Sequence, residues 1–254
     1  MSTRTLIAGC AIITVDAERR ELGSGWVLID GTTIAAVGTG ADIPALLGDD
    51  VTHIDGTGCV LTPGLVNTHH HLYQWITRGL AADHTLFEWL TTLYPVWAGI
   101  DEQAVNVAAM GGLAHLALSG CTTTTDHHYV FPKDGGDLLA AEILAARTVG
   151  MRFHPTRGSM DLSAKDGGLP PDSVVQTIDE ILAAGADAVS RWHDPAAGSM
   201  LRIALAPCSP FSVTTDLLRE SAILARQLKV RMHTHLAESP DENTYCAEHF
   251  NATP

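Results

Sequence analysis

The sequence predicts an α/β protein, a (β/α)8 TIM-type barrel with only about five of its strands present, preceded by a small β-domain. Three observations carry this. Residues 1–61 break into short runs rich in β-branched side chains. From residue 64 onward, short apolar runs alternate with longer helical stretches. No glycine-rich phosphate loop follows the first of those apolar runs, which disfavours the doubly wound sheet that remains the alternative.

The first domain is assigned to residues 1–61. Residues 5–15 and 25–37 are the leading strands, because Val, Ile and Thr suit a pleated surface. Asp30-Gly31 between 26–29 and 33–37 is a hairpin signal, since glycine accepts the positive φ of a tight turn. A third run, 51–61, is interrupted by Gly56 and Gly58 and ends at the turn Thr62-Pro63-Gly64.

The second domain is assigned to residues 62–254. Its strands are expected at 64–68, 121–126, 151–156, 201–206 and 230–234. Helices are expected near 101–118, 137–148, 173–192 and 215–228. Ser173 with Gln176 three residues later reads as a capping box. Repeated strand–helix units imply parallel strands, which need crossovers. Five strands fall short of the eight that close a barrel. A barrel lacking three strands would expose two unpaired edges, so the chain is expected to be part of a longer one.

Composition narrows the function. The 254 residues are 46% hydrophobic and 17% charged, which suits a packed core. The formal net charge is −14, and Lys133, Lys165 and Lys229 are the only lysines. So acidic a chain is a poor partner for nucleic acid or an anionic membrane. The five cysteines are widely spaced with no CxxC pair, which reads as reduced thiols in the cytoplasm. No apolar run reaches the ~18 residues a membrane span needs.

The strongest chemical signal is Asn67-Thr68-His69-His70-His71, directly after the first barrel strand. Side chains alternate faces on extended backbone, so His69 and His71 share one face and His70 takes the other. Two neutral imidazoles converging at a strand's C-terminal end can take Zn2+ at ~2.0–2.1 Å. His233-Thr234-His235-Leu236-Ala237-Glu238 occupies the same end of the fifth strand. His235 can supply a third ligand there, and Glu238 is placed to handle protons on an activated water. His233 is read as a core histidine. His127, His128 and His154 also sit at strand ends and are read as supporting the ligands from behind or lining the pocket, not as ligands.

Pro63-Gly64-Leu65-Val66-Asn67-Thr68-His69-His70-His71 resembles the first-strand signature of the amidohydrolase superfamily. His235-Leu236-Ala237-Glu238 resembles its fifth-strand signature, and residues 1–61 would then form part of a β-sandwich. Arg157-Gly158-Ser159-Met160, the stretch 167–173 and Pro207-Cys208-Ser209-Pro210-Phe211-Ser212-Val213 are similar to the 8-oxoguanine deaminase branch. That branch neighbours the hydroxyatrazine-type aminohydrolases and guanine deaminases.

The resemblance implies that His69, His71 and His235 bind one Zn2+ per subunit, with Fe2+ as the alternative. Glu238 would be the catalytic proton carrier. A sixth-strand histidine and an eighth-strand aspartate would complete the site; neither is present, so this chain is expected to be inactive alone. Binuclear members bridge their metals with a fourth-strand lysine. Residues 201–206 contain none, which favours one metal and disfavours amide-ring hydrolysis of the dihydroorotase kind. The implied reaction is hydrolytic deamination of a small purine-like heterocycle, 8-oxoguanine foremost. A guanine, pyrimidine or s-triazine aminohydrolase and an inactive metal-binding fragment are the competing readings. Gln74, Arg78, Arg157 and Cys208 are substrate-binding candidates by location, with Trp75, Trp89 and Tyr94 as apolar walls. The superfamily resemblance also suggests a homo-oligomer.

Overall fold

The computed structural model describes residues 4–40, 43 and 50–254. The chain divides into two compact units after Gly64.

The first unit holds strands β1 (Arg4–Ile13), β2 (Glu21–Asp30), β3 (Thr33–Thr39), β4 (Val51–Asp55) and β5 (Val60–Leu61). The expected β-sandwich portion is, among the described residues, one mixed sheet in the order β3-β2-β1-β4, with β5 beside β1. β2 and β3 form the anticipated antiparallel hairpin, turned at Gly31 with φ +59°. β4 runs parallel to β1. Among the described residues the buried side chains of this unit are Leu6, Cys10, Ile12, Trp26 and Val27. Gly38 packs under Trp26, where a Cβ would lie 2.4 Å from the indole.

The second unit carries four parallel strands in the order β6-β7-β8-β9, half of a (β/α)8 barrel. They are β6 (Leu65–Asn67), β7 (Cys121–Asp126), β8 (Arg152–Ser159) and β9 (Ala204–Pro207). The fifth expected strand, 230–234, lies alongside β9 but pairs with it only through a single parallel bridge, Leu205 to Met232. Around the sheet lie α1 (Leu86–Trp97), α2 (Glu102–Leu118), α3 (Leu138–Val149), α4 (Ile178–Trp192), α5 (Thr215–Leu228) and α6 (Pro240–Phe250). Among the described residues no helix is long and apolar enough to cross a membrane.

Local chemistry sets these boundaries. Asp101, Asp137 and Thr214 each accept an otherwise orphaned amide at the start of α2, α3 and α5. Gly150, at φ +80°, ends α3 in the left-handed conformation that glycine adopts without strain. The capping box of α4 is not Ser173 with Gln176. It is Thr177 with Glu180, whose carboxylate accepts the Thr177 amide at 2.8 Å. Ser173 lies in a separate 3-10 turn, Asp172–Val174, and the Gln176 carbonyl oxygen accepts from Arg157 instead. α1 and α6 were not anticipated.

Two apolar clusters hold this unit together. One joins Tyr73, Leu93, Tyr94, Trp97, Tyr129 and Phe211 near the strands' C-terminal ends. The other joins Leu72, Leu113, Ile143, Phe153 and Ile203 between sheet and helices. Burying each such side chain is worth roughly 1.5–3 kcal/mol, so the strand ends sit on a densely packed base.

Candidate metal centre

His69 and His71 leave the end of β6 on one face, as alternation demands, and His235 arrives from the segment beside β9. Three ring nitrogens meet. His71 Nε2 lies 3.1 Å from His69 Nε2 and 3.1 Å from His235 Nε2. Tetrahedral ligands at ~2.0–2.1 Å from one ion stand about 3.3–3.4 Å apart, so the spacing fits a shared cation.

The opposite ring nitrogens leave the facing ones free to accept a cation. His71 Nδ1–H donates to the His127 carbonyl at 2.7 Å, and His235 Nδ1–H donates to the Cys208 carbonyl at 2.8 Å. His69 Nδ1 lies 3.2 Å from His233 Nε2, which can accept its hydrogen. Each neutral ring has then used its one N–H outward, and three bare lone pairs face one another. Burial also disfavours the charged rings. It holds His71 well below the usual histidine range, pulls His235 down to about 4, and lowers His69 as well. Neutral imidazoles are the ligating form.

His127 is fully buried, and both its ring nitrogens lack a hydrogen-bond partner. It offers a nitrogen within 4.8 Å of those of His69 and His235. Its ring, however, stacks on His235 at 4.2 Å with an interplanar angle of 9°. His71 Nε2, at 3.1 Å from both His69 Nε2 and His235 Nε2, is the closer third nitrogen. His233, read from sequence as a core histidine, instead braces His69.

A cavity of about 410 Å3 opens over these nitrogens. Gln74, Trp89, Tyr94, Tyr129, Cys208, Phe211 and Glu238 line it with the three histidines. Glu238 sits on a loop whose left-handed residue is Ala237, at φ +60°. The buried Glu242 carboxylate straps that loop down, accepting the Ala237 amide at 3.0 Å and the Glu238 amide at 2.6 Å. Partial burial and then the nearby Glu242 charge raise the Glu238 carboxyl, the direction a proton carrier needs near neutrality.

Gln74 donates its amide hydrogens to Tyr73 Oη at 3.3 Å and Tyr129 Oη at 3.2 Å. Cys208 is buried at the cavity floor, where burial pushes its thiol up to about 12. Two substrate candidates lie elsewhere. Arg78 stacks its guanidinium 4.8 Å from the Trp75 ring centre and lines a different cavity, with His70 and His115. Arg157 is buried 3.7 Å from the Phe131 ring centre and bonds to the Gly158 carbonyl and Gln176. β8 extends to Ser159, three residues past the expected end, so Arg157 is a strand residue directed away from the site.

Sequence reasoning missed four groups close to this centre: Glu242, Tyr129, Asp126 and Glu142. Glu142 carried a readable signal. It is an acidic residue set among Leu139, Ala141, Ile143 and Ala145, all buried on α3.

Residues 60–253 match the profile of the Amidohydrolase family. The chain belongs to the amidohydrolase family. Over 238 residues it is 46% identical to the 8-oxoguanine deaminase of Pseudomonas aeruginosa, covering 92% of this chain and 52% of that one. It is 37% identical to the hydroxydechloroatrazine ethylaminohydrolase of Pseudomonas sp. strain ADP, covering 93% and 51%. The structure of atrazine chlorohydrolase from Arthrobacter aurescens TC1 complexed with zinc superposes with a TM-score of 0.90 at 32% identity. That likeness covers 98% of this chain and 56% of that one. The chain thus spans about half the length of the curated amidohydrolases it matches.

Proposed function

We propose that this chain carries the metal-binding part of a zinc-dependent amidohydrolase that removes ammonia from an amine-bearing purine-like heterocycle, 8-oxoguanine foremost. The observation behind this reading is the set of three Nε2 atoms about one point, each ring's N–H directed outward. The 46% likeness to an 8-oxoguanine deaminase supports the substrate class.

In this reading His69, His71 and His235 hold one Zn2+, which supplies a Lewis acid that makes water a competent nucleophile near pH 7. β9 offers no lysine to bridge a second ion. Glu238, held over the cavity by Glu242, carries one proton of the attacking water to the ring nitrogen and the second to the leaving amine. Trp89, Tyr94 and Phe211 enclose the flat ring. Gln74 has spent its N–H groups on two tyrosines, which leaves its carbonyl oxygen to accept a substrate N–H. Cys208 stays a thiol and contributes shape, not nucleophilic chemistry.

The test uses protein expressed from its complete gene. Metal content is measured together with ammonia release from 8-oxoguanine, guanine and a hydroxylated s-triazine. One zinc per subunit with fastest turnover of 8-oxoguanine is the expected result. Zinc without ammonia from any amine-bearing heterocycle would leave a metal-binding protein and remove the deaminase reading.

A further inference from the structure

A second cluster lies beneath the metal centre. Asp126 ends β7, His128 follows it and Glu142 projects from α3; all three side chains are fully buried. His128 Nδ1 lies 2.6 Å from Glu142 Oε1, and His128 Nε2–H donates to the Val130 carbonyl at 2.8 Å. Asp126 Oδ1 accepts the Leu72 amide at 2.6 Å. Asp126, His128 and Glu142 each offer a nitrogen or oxygen within 4.8 Å of the others. Asp126 Oδ2 and Glu142 Oε2 are buried without a hydrogen-bond partner.

A metal ion fits this cluster poorly. Two tetrahedral ligands at ~2.0–2.1 Å from an ion stand about 3.3–3.4 Å apart, well beyond the 2.6 Å between His128 and Glu142. That separation is a short hydrogen bond. Both His128 nitrogens are already engaged, and none of the three residues borders the cavity over the histidines.

Protons satisfy every atom. A proton on Glu142 Oε1 can donate to His128 Nδ1, and a proton on Asp126 Oδ2 can be offered to the equally unpartnered Glu142 Oε2. Asp126 Oδ1 remains free for the Leu72 amide. The chain is then uncharged, as a dry interior requires. Burial acts in the same direction: it raises Asp126 well above the carboxylate range, raises Glu142 to about 8, and pulls His128 down to about 4.

This chain of bonds grips the metal-ligand segment. The Asp126–His127 backbone and side chain meet three consecutive residues. Asp126 Oδ1 takes the Leu72 amide, the His127 carbonyl takes His71 Nδ1–H, and the His127 amide donates to the His70 carbonyl at 2.7 Å. From behind, the Gly158 amide donates to the His128 carbonyl at 2.9 Å. We propose that Asp126 and Glu142 are positioning residues for His71, acting as two neutral carboxylic acids linked by protons to His128. This rests on the assignment of His71 as a metal ligand.

Amide variants test it, because Asn and Gln reproduce the donor and acceptor pattern of protonated Asp and Glu. Zinc affinity is measured by chelator competition, and thermal stability alongside, for Asp126→Asn, Glu142→Gln, their combination and Asp126→Ala. The amide variants are expected to bind zinc within about threefold of the parent, whereas Asp126→Ala is expected to bind about 10–100-fold more weakly, the usual cost of losing an outer partner of a ligand. Amide variants as impaired as the alanine variant would overturn the neutral chain, as would a second zinc equivalent that they lose. Zinc binding unchanged in Asp126→Ala would overturn the positioning role. If Asp126→Ala does not fold, the double amide variant decides alone. If the parent binds no zinc, the metal reading fails, and unchanged stability of the amide variants still supports the proton-linked chain.

Discussion

Two three-membered clusters sit at neighbouring strand ends and are built in opposite senses. At His69, His71 and His235 every ring N–H points outward to a carbonyl or to another histidine, and bare lone pairs face inward. At Asp126, Glu142 and His128 each donor faces an acceptor within the cluster or on nearby backbone. The first offers three facing lone pairs, which the proposed function fills with a cation. The second is complete with protons alone. Residue identity does not separate them, since both are rich in groups that ligate metals. The direction of the hydrogen atoms does.

The largest effect expected from breaking this contrast is at the first cluster. His71→Ala or His235→Ala removes a ligand outright, so zinc affinity should fall by more than the roughly 10–100-fold seen for outer partners. Chelator competition and ammonia release report it together. Glu238→Gln should instead keep zinc and lose about 10²–10⁴ in kcat, the usual worth of a positioned proton carrier. Metal analysis beside steady-state kinetics separates the two classes of variant.

Smaller effects sharpen the second cluster. A Cβ on Gly158 would stand 2.0 Å from the His128 carbonyl oxygen, which is backbone and cannot swing aside. Gly158→Ala should therefore cost about 1–3 kcal/mol, as overpacking does, and weaken zinc binding, visible in thermal melts and chelator competition. Glu142 predicts a pH signature. Its folded pKa of about 8 exceeds the ordinary value of 4.5, so the folded state holds an extra proton between them. Its stabilising contribution is fully present below pH 4.5 and is lost as pH rises through 8. His128, lowered to about 4, acts in the opposite direction, but only between pH 4 and 6.5. Above pH 6.5 the parent should lose up to about 1.4 kcal/mol per pH unit relative to Glu142→Gln. Denaturant titrations at pH 6.5, 7.25 and 8 measure the difference. The smallest effect is chemical: Cys59 is exposed and Cys208 buried, so a thiol reagent at pH 8 should label the first and spare the second.

The barrel half was legible because parallel strands and their helices leave simple marks. The threonine run of β7 favours a strand, and Asp101 and Asp137 announce the helices that follow them. The facing of His69 and His71 followed from alternation on extended backbone. The start of α4 was misplaced because Ser173 and Thr177 head equally good capping patterns. Only the tertiary bond from Arg157 to Gln176 removes one of them. α1 was hidden by Pro95 within it. Arg157 was assigned to the site because sequence does not reveal that β8 continues to Ser159. The proton-linked cluster joins Asp126 to a residue on the next helix, and no local spacing rule brings those two side chains together.

The central claim is that three Nε2 atoms share one ion. X-ray absorption at the zinc edge, on protein expressed from its complete gene, tests it most directly. The account predicts one zinc with imidazole nitrogens at ~2.0–2.1 Å, and a reduced nitrogen count when His71 or His235 is replaced by alanine. A zinc shell unchanged by either replacement, or one lost instead in Asp126→Asn with Glu142→Gln, would contradict it.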